Sequence, residues 1–198
     1  MKKYEIELEG ITPLLMNSNR MVGKLDGTRK RAGEAVKGEP EEWRDKMYYT
    51  KEEGLNIPSL NIETCFYQAA KGIKISGKEY AGRYFNGAIF VEAANVPILV
   101  GGKKIIDVDA ALKEIPNLIN VDVRVACLKN GVKKSSQLRY RLSVSGWKIK
   151  FVLIDAADGL VSKEKIEETI NKAGMLFGFF DWRPRFGRFM LKSIKEVS

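Results

Sequence analysis

The chain has 198 residues, 44% of them apolar, enough for one well-buried core with room for sizeable insertions. It carries 34 Lys and Arg against 25 Asp and Glu, a formal net charge of +9, with two cysteines and no histidine. Those counts argue against a disulfide framework and a Cys/His zinc site, and no apolar run reaches the roughly 18 residues of a membrane helix. The opening Met1-Lys2-Lys3-Tyr4-Glu5 passes straight into alternating residues, without the apolar run of a signal peptide. The expected protein is soluble and cytoplasmic, with no membrane partner.

The basic charge is segregated. Arg124, Lys129, Lys133, Lys134, Arg139, Arg141, Lys148 and Lys150 fall between Val123 and Lys150 with no Asp or Glu among them. Segregation of that kind favours a polyanion as partner.

In chain order, Tyr4, Ile6 and Leu8 alternate with Glu5, Glu7 and Glu9, the period of a half-buried strand that Gly10-Ile11-Thr12-Pro13 ends. From Asn17 to Pro40, glycines punctuate a stretch poor in large apolar residues, predicted as a long loop with Arg29-Lys30-Arg31 as a second basic cluster. Trp43 to Thr50 and Leu55 to Pro58 suggest a hairpin turning at Gly54. Ile62, Cys65, Phe66, Ala69, Ala70 and Ile73 then form one helical stripe, with Asn61 as the expected N-cap and Leu60 stapled to Cys65.

Ile89 to Val100 is β-rich, interrupted by Pro97, and Asp107 is expected to cap a short helix at Ala110-Ala111-Leu112. Val121, Val123 and Val125 alternate with Asp122 and Arg124, and Lys129-Asn130-Gly131 is a turn signal. Residues from about 123 to 150 are therefore predicted as a long basic hairpin. Trp147, Ile149 and Phe151 mark a further strand. Ser162 caps a second helix carrying Ile166, Ile170, Ala173 and Phe177, with Val161 stapling Ile166. Phe189, Leu191 and Ile194 lie in a closing strand after Gly187.

With insertions at about 17–56 and 75–120 set aside, the order is strand, helix, strand, strand, helix, strand. That is the α+β plan of the ferredoxin-like or RRM-like fold, a four-stranded antiparallel sheet with two helices on one face, here as a single domain over 1–198. Many functions use this plan, so particular residues must decide.

The most specific stretch runs from Ala173 through Gly178-Phe179-Phe180-Asp181-Trp182-Arg183-Pro184-Arg185-Phe186-Gly187-Arg188-Phe189. Gly178 and Gly187 permit positive φ and close approach, Arg183, Arg185 and Arg188 offer planar donors to phosphate, and Trp182, Phe180 and Phe186 offer stacking faces. The plainer alternative is a helix C-cap, a proline turn, core aromatics and solvated arginines. Asp181 is expected to orient an arginine.

A glycine-rich loop between the last helix and last strand of a ferredoxin-like fold resembles the RAMP superfamily, the repeat-associated proteins of CRISPR systems. Glu9-Gly10-Ile11-Thr12-Pro13-Leu14-Leu15 is similar to the start of such proteins, and Ile57-Pro58-Ser59-Leu60-Asn61-Ile62 leads into a helix ending Ala69-Ala70-Lys71-Gly72 in the same manner. The likeness extends to effector backbone subunits that polymerise along a guide RNA and to phage proteins of similar pattern. It departs at Phe179 and Phe180, where a further glycine is common, and in the chain's short length. The resemblance implies nucleic-acid contacts on the insertion after the first strand and on the basic hairpin, and head-to-tail self-association.

Processing endoribonucleases of the same superfamily cleave RNA without metal, usually through a histidine, which this chain lacks. Tyr and Lys ionise near pH 10 unless strongly perturbed. Asp107-Val108-Asp109 reads as a helix cap rather than a metal site, and neither a Walker loop nor a nucleophile elbow is present. The expected function is non-catalytic binding of single-stranded RNA or DNA, without cofactor or metal. The expected contacts are Arg29, Lys30 and Arg31, then Arg124, Lys129, Lys133, Lys134, Arg139 and Arg141 of the hairpin, and Gly178, Trp182, Arg183, Arg185, Gly187 and Arg188 of the loop. The alternatives are a metal-independent endoribonuclease of the RAMP type, or a structural protein of a phage or CRISPR-like assembly.

Overall fold

The computed structural model describes residues 1–18, 40–130 and 133–197, with backbone alone for 127–130 and 133–135. In chain order, β1 (Lys2–Gly10) and β2 (Leu14–Leu15) precede α1 (Glu42–Lys46). Strands β3 (Tyr49–Thr50) and β4 (Gly54–Pro58) lead into α2 (Ser59–Ala70). Next come β5 (Lys74–Ser76), β6 (Glu79–Tyr80), α3 (Gly82–Phe85), β7 (Ile89–Val91), β8 (Asn95–Pro97), β9 (Leu99–Val100), β10 (Lys103–Lys104) and α4 (Val108–Glu114). The long strands β11 (Ile119–Asn130) and β12 (Lys133–Val144), then β13 (Trp147–Asp155), α5 (Lys163–Leu176) and β14 (Phe189–Val197), complete the α+β fold.

The alternation in β1 is used as expected: Tyr4, Ile6 and Leu8 are buried, while the glutamates face the other side. β1 lies between β13 and β14, antiparallel to both. The far edge of β13 is covered in two pieces, by β9 beside Trp147 and Lys148 and by β7 beside Leu153 to Asp155. All strand pairs among the described residues are antiparallel.

Helices α2 and α5 supply the apolar stripes that meet the buried face. Phe66 of α2 lies 6.3 to 6.4 Å from the rings of Phe85, Phe151 and Phe189. On α5, Ile166, Ile170, Ala173 and Gly174 are buried, and a Cβ on Gly174 would run into the Phe189 carbonyl oxygen. The helix therefore rests directly on β14. Its cap is as predicted, with the Ser162 side chain accepting the Lys165 N–H, and Asp107 likewise accepts the Ala110 N–H.

Three local expectations are corrected. Asn61 is inside α2, not its cap: the helix starts at Ser59, whose N–H donates to the Ala94 carbonyl at 3.0 Å. A backbone acceptor thus replaces a side-chain cap, and Leu60, 68% exposed, staples nothing. Trp43 belongs to α1, and the hairpin at Gly54 shrinks to Tyr49 and Thr50 paired with Leu55 and Gly54. The basic hairpin spans 119–144 rather than 123–150, because Gly146 (φ 62°) turns the chain and puts Lys148 and Lys150 in the central sheet. No helix among the described residues is long and apolar enough to cross a membrane.

Phe66 fills the centre of the core, so Phe66→Ala is expected to cost about 3–5 kcal/mol in a chemical denaturation curve.

Candidate nucleic-acid interface

The loop after α5 closes on itself. The Phe179 N–H donates to the Gly187 carbonyl at 2.9 Å, and Gly178 and Gly187 take φ of 71° and 74°. A Cβ on Gly187 would run into the Phe179 carbonyl oxygen, so the close approach that demands glycine is to the chain's own backbone. Phe180 and Trp182 also take positive φ, 64° and 56°, which bulky residues adopt only under constraint. Phe180 thus holds a backbone conformation that ordinarily favours glycine. Its ring is held by Tyr48, stacked at 4.5 Å and 7°.

This loop docks on the turn that follows β1. The Gly187 N–H donates to Pro13 O at 2.9 Å, the Asp181 N–H to Leu15 O at 3.1 Å, and the Arg188 N–H to Thr12 Oγ1 at 2.9 Å. Trp147 Nε1 donates to Thr12 O at 2.9 Å from the other side. Leu14 and Leu15 then pair with Val144 and Ser143 of β12. The two ends of the sequence are joined, and the hairpin is hung from the joint.

The base of the hairpin is fastened by cations. Register places Asp122 opposite Arg141 and Arg124 opposite Arg139, so all four side chains share one face. On that face Trp182 lies 5.3 Å from the guanidinium of Arg124 and 5.3 Å from that of Arg141, and Arg124 also sits 4.8 Å from the Phe186 ring. Arg124 donates to both oxygens of Asp122 at 2.8 Å, and Arg141 Nε pairs with Asp181 at 2.6 Å. Asn17 adds a bond to Asp181 at 3.2 Å. Arg139 pairs with the buried Glu42 of α1, whose carboxylate also accepts the Tyr140 N–H at 3.4 Å.

The expected contact residues therefore divide. Arg124 and Arg141 are turned inward onto Trp182, Arg139 is held by Glu42, and Gly178 and Gly187 are buried. Arg183 and Arg185 are exposed beside this cluster, while Arg188 is half-buried. Lys129, Lys133 and Lys134 lie at the far end of the hairpin, where the backbone pairs Lys129 with Lys134. Arg29, Lys30 and Arg31 fall outside the described residues. The other face of the hairpin exposes Val123, Val125 and Leu138. Lys148 and Lys150 pair with Glu9 and Glu7 at 3.4 and 3.2 Å, and Lys192 with Glu9 at 2.7 Å. The Lys192 ammonium, joined by Lys148, holds the Glu9 carboxyl below its usual range. The outer face of the sheet is thus an ion-paired ladder.

Sequence reasoning missed Glu42, Asn17, Asp122 and Tyr48 as parts of this assembly. Asp122 carried a signal, since two residues apart on a strand puts it on the same face as Arg124. Glu42 and Tyr48 carried none, being placed by tertiary contacts. The Cys65 thiol is pushed up to about 12 by burial, with Sγ 3.4 Å from Gly178 O. No group of three or more Cys, Asp or Glu suited to a metal occurs among the described residues.

No family model matches the chain, and no curated protein is significantly similar to it in sequence. Its fold matches a chain of a type III-B Cmr-beta complex, solved by cryo-electron microscopy bound to cognate target RNA, at a TM-score of 0.52 and 12% identity. The likeness is one of fold. It covers 100% of this chain and 61% of that chain, so this chain spans less than two thirds of the other's length.

Removing the ring between the two arginines is expected to loosen the hairpin while sparing the sheet. Trp182→Ala forfeits two cation–π contacts, together about 1–2 kcal/mol, and speeds hydrogen exchange at 121–125 and 138–142 roughly tenfold. Protection in β1 and β13 stays unchanged. Gly187→Ala, by contrast, is expected to lower the melting temperature of the whole chain, because its new methyl has only backbone to displace.

Proposed function

We propose that this chain binds a single strand of nucleic acid, RNA before DNA, along the edge made by the β11–β12 hairpin and the loop 178–188, and performs no chemistry on it. The observation that carries the proposal is the fastening of the hairpin base through Trp182, Arg124, Arg141 and Asp181. A two-stranded ribbon is marginally stable alone. Fixed in this way it becomes a stiff projection with a defined direction, next to two exposed arginines. Arg183 and Arg185 are the proposed phosphate ligands at its base, and Lys129, Lys133 and Lys134 those of its far end. Arg29, Lys30 and Arg31 are proposed as further phosphate ligands. Arg124, Arg139, Arg141, Trp182, Gly178 and Gly187 act by positioning, and Arg188 ties the loop to Thr12.

The strand order β14-β1-β13, with β7 and β9 along the outer edge of β13, supports a ferredoxin-like or RRM-like core of the RAMP kind. So does the fold likeness to a chain of an RNA-bound CRISPR complex. An assembly in which copies repeat head to tail along the strand belongs to the same proposal. A non-catalytic role is supported by the absence of histidine from the sequence. Tyr4 is raised by burial and Tyr84 by its bond to Glu79, both away from neutrality, so neither is tuned for proton transfer.

Replacing Arg183 and Arg185 by Ala is expected to weaken binding of every single-stranded sequence alike. The slope of log affinity against log salt should fall by about 1.4, at roughly 0.7 per lost phosphate contact. An unchanged slope would remove both arginines from the interface. Light scattering with strands of increasing length should show particle mass growing with length, and a constant one-to-one complex would exclude repeated assembly.

A further inference from the structure

We propose a second single-strand surface, separate from the hairpin and its loop, on the turn after α2, the β5–β6 hairpin and α3. Lys71, Lys74, Lys78 and Arg83 are all exposed there, and Glu79 is the only carboxylate between Lys71 and Arg83. That carboxylate is engaged already, accepting the Tyr84 hydroxyl at 2.6 Å with Arg83 4.0 Å away. Lys71, Lys74 and Lys78 have no carboxylate partner within 4 Å among the described residues. The contrast with Arg124, Arg139 and Arg141, each ion-paired within the chain, is the first argument.

Aromatic faces alternate with these cations. The Lys71 ammonium lies 4.4 Å from the Tyr67 ring, and that of Lys74 lies 6.0 Å from the ring of Tyr80, itself 41% exposed. A cation over an exposed ring is weakly held, and an ammonium is a mobile point charge on a flexible stem. A base can take the ring while the ammonium swings to the adjoining phosphate. That alternation of cation and ring is the make-up of a sequence-tolerant single-strand groove. An acidic protein would satisfy the charges but gain little from the rings, so a strand fits the patch better.

The segment is also preset. Ile73, Ala81 and Phe85 anchor it in the core, and the Ala81 N–H donates to Ile73 O at 2.8 Å. Between the anchors Ser76, Gly77, Lys78, Glu79, Tyr80 and Arg83 line a shallow, open depression. Apart from its own residue and its two chain neighbours, nothing lies within 4 Å of where a Gly77 Cβ would stand, so its backbone is open to approach. The surface uses none of the residues of the hairpin–loop edge, and it stands or falls independently of that edge.

The test is titration of the full chain with oligouridine RNA and the matching DNA at rising salt, with acetylation of lysines as the footprint. Lys74→Ala with Lys78→Ala should lower the salt slope by about 1.4. Tyr80→Ala should weaken binding about tenfold and Tyr80→Phe hardly at all, and bound strand should shield Lys74 and Lys78 from acetylation. Unshielded lysines together with an unchanged slope overturn the proposal, even where the Arg183 and Arg185 variant loses affinity and so upholds the hairpin–loop edge. Failure of the wild type to bind either strand overturns it too. So does shielding by polyglutamate without shielding by the strands, which would mark an acidic protein as the partner.

Discussion

The backbone contact between Gly187 and Phe179 is the constraint on which the hairpin–loop edge of this molecule depends. Two legs of one loop touch there without side chains between them, and the touching legs present Gly187, Asp181 and Arg188 to the turn after β1. That turn extends into Leu14 and Leu15, which pair with β12. The position of the hairpin is therefore set by hydrogen bonds that start at a glycine about 45 residues further along the chain. Trp182 and Phe180, forced into positive φ by the closure, project where Arg124, Arg141 and Tyr48 can hold them. Local strain is offset by tertiary contacts.

Electrostatics then sort the surface. The sheet face pairs its lysines with the glutamates of β1, and such exposed pairs contribute little to stability. Their effect here is to leave that face without a net basic field. The Arg139–Glu42 pair is different, because Glu42 is buried and its loss of a partner would strand a charge. It binds α1 to the hairpin. Among the described residues, the exposed cations outside any ion pair include Arg183, Arg185, Lys74 and Lys78.

Much of the fold was legible in the sequence. The two-residue period of β1, the stripes of α2 and α5, and the caps at Ser162 and Asp107 are local signals, and local hydrogen bonds and one-sided burial honour them. The start of α2 was not legible, because the acceptor that replaces its cap is the carbonyl of Ala94, far along the chain. The charge run was read in one dimension. Eight cations without an intervening acid looked like one surface, yet in the fold Lys148 and Lys150 meet β1 while Arg139 and Arg141 meet Glu42 and Asp181. Asp181 beside an arginine was a legible pairing. That Trp182 would be spent on two arginines of the chain's own hairpin was not, since their partner strands are set by register rather than by sequence neighbours.

The most direct test of the central claim is photo-crosslinking of the full chain to a 4-thiouridine-labelled single-stranded RNA, with the adducts located by mass spectrometry. Adducts within 181–188 and along 119–144 are the predicted result. Adducts confined to the glutamate-bearing face of β1, β13 and β14, or none at concentrations where a salt-sensitive complex forms, would contradict the account.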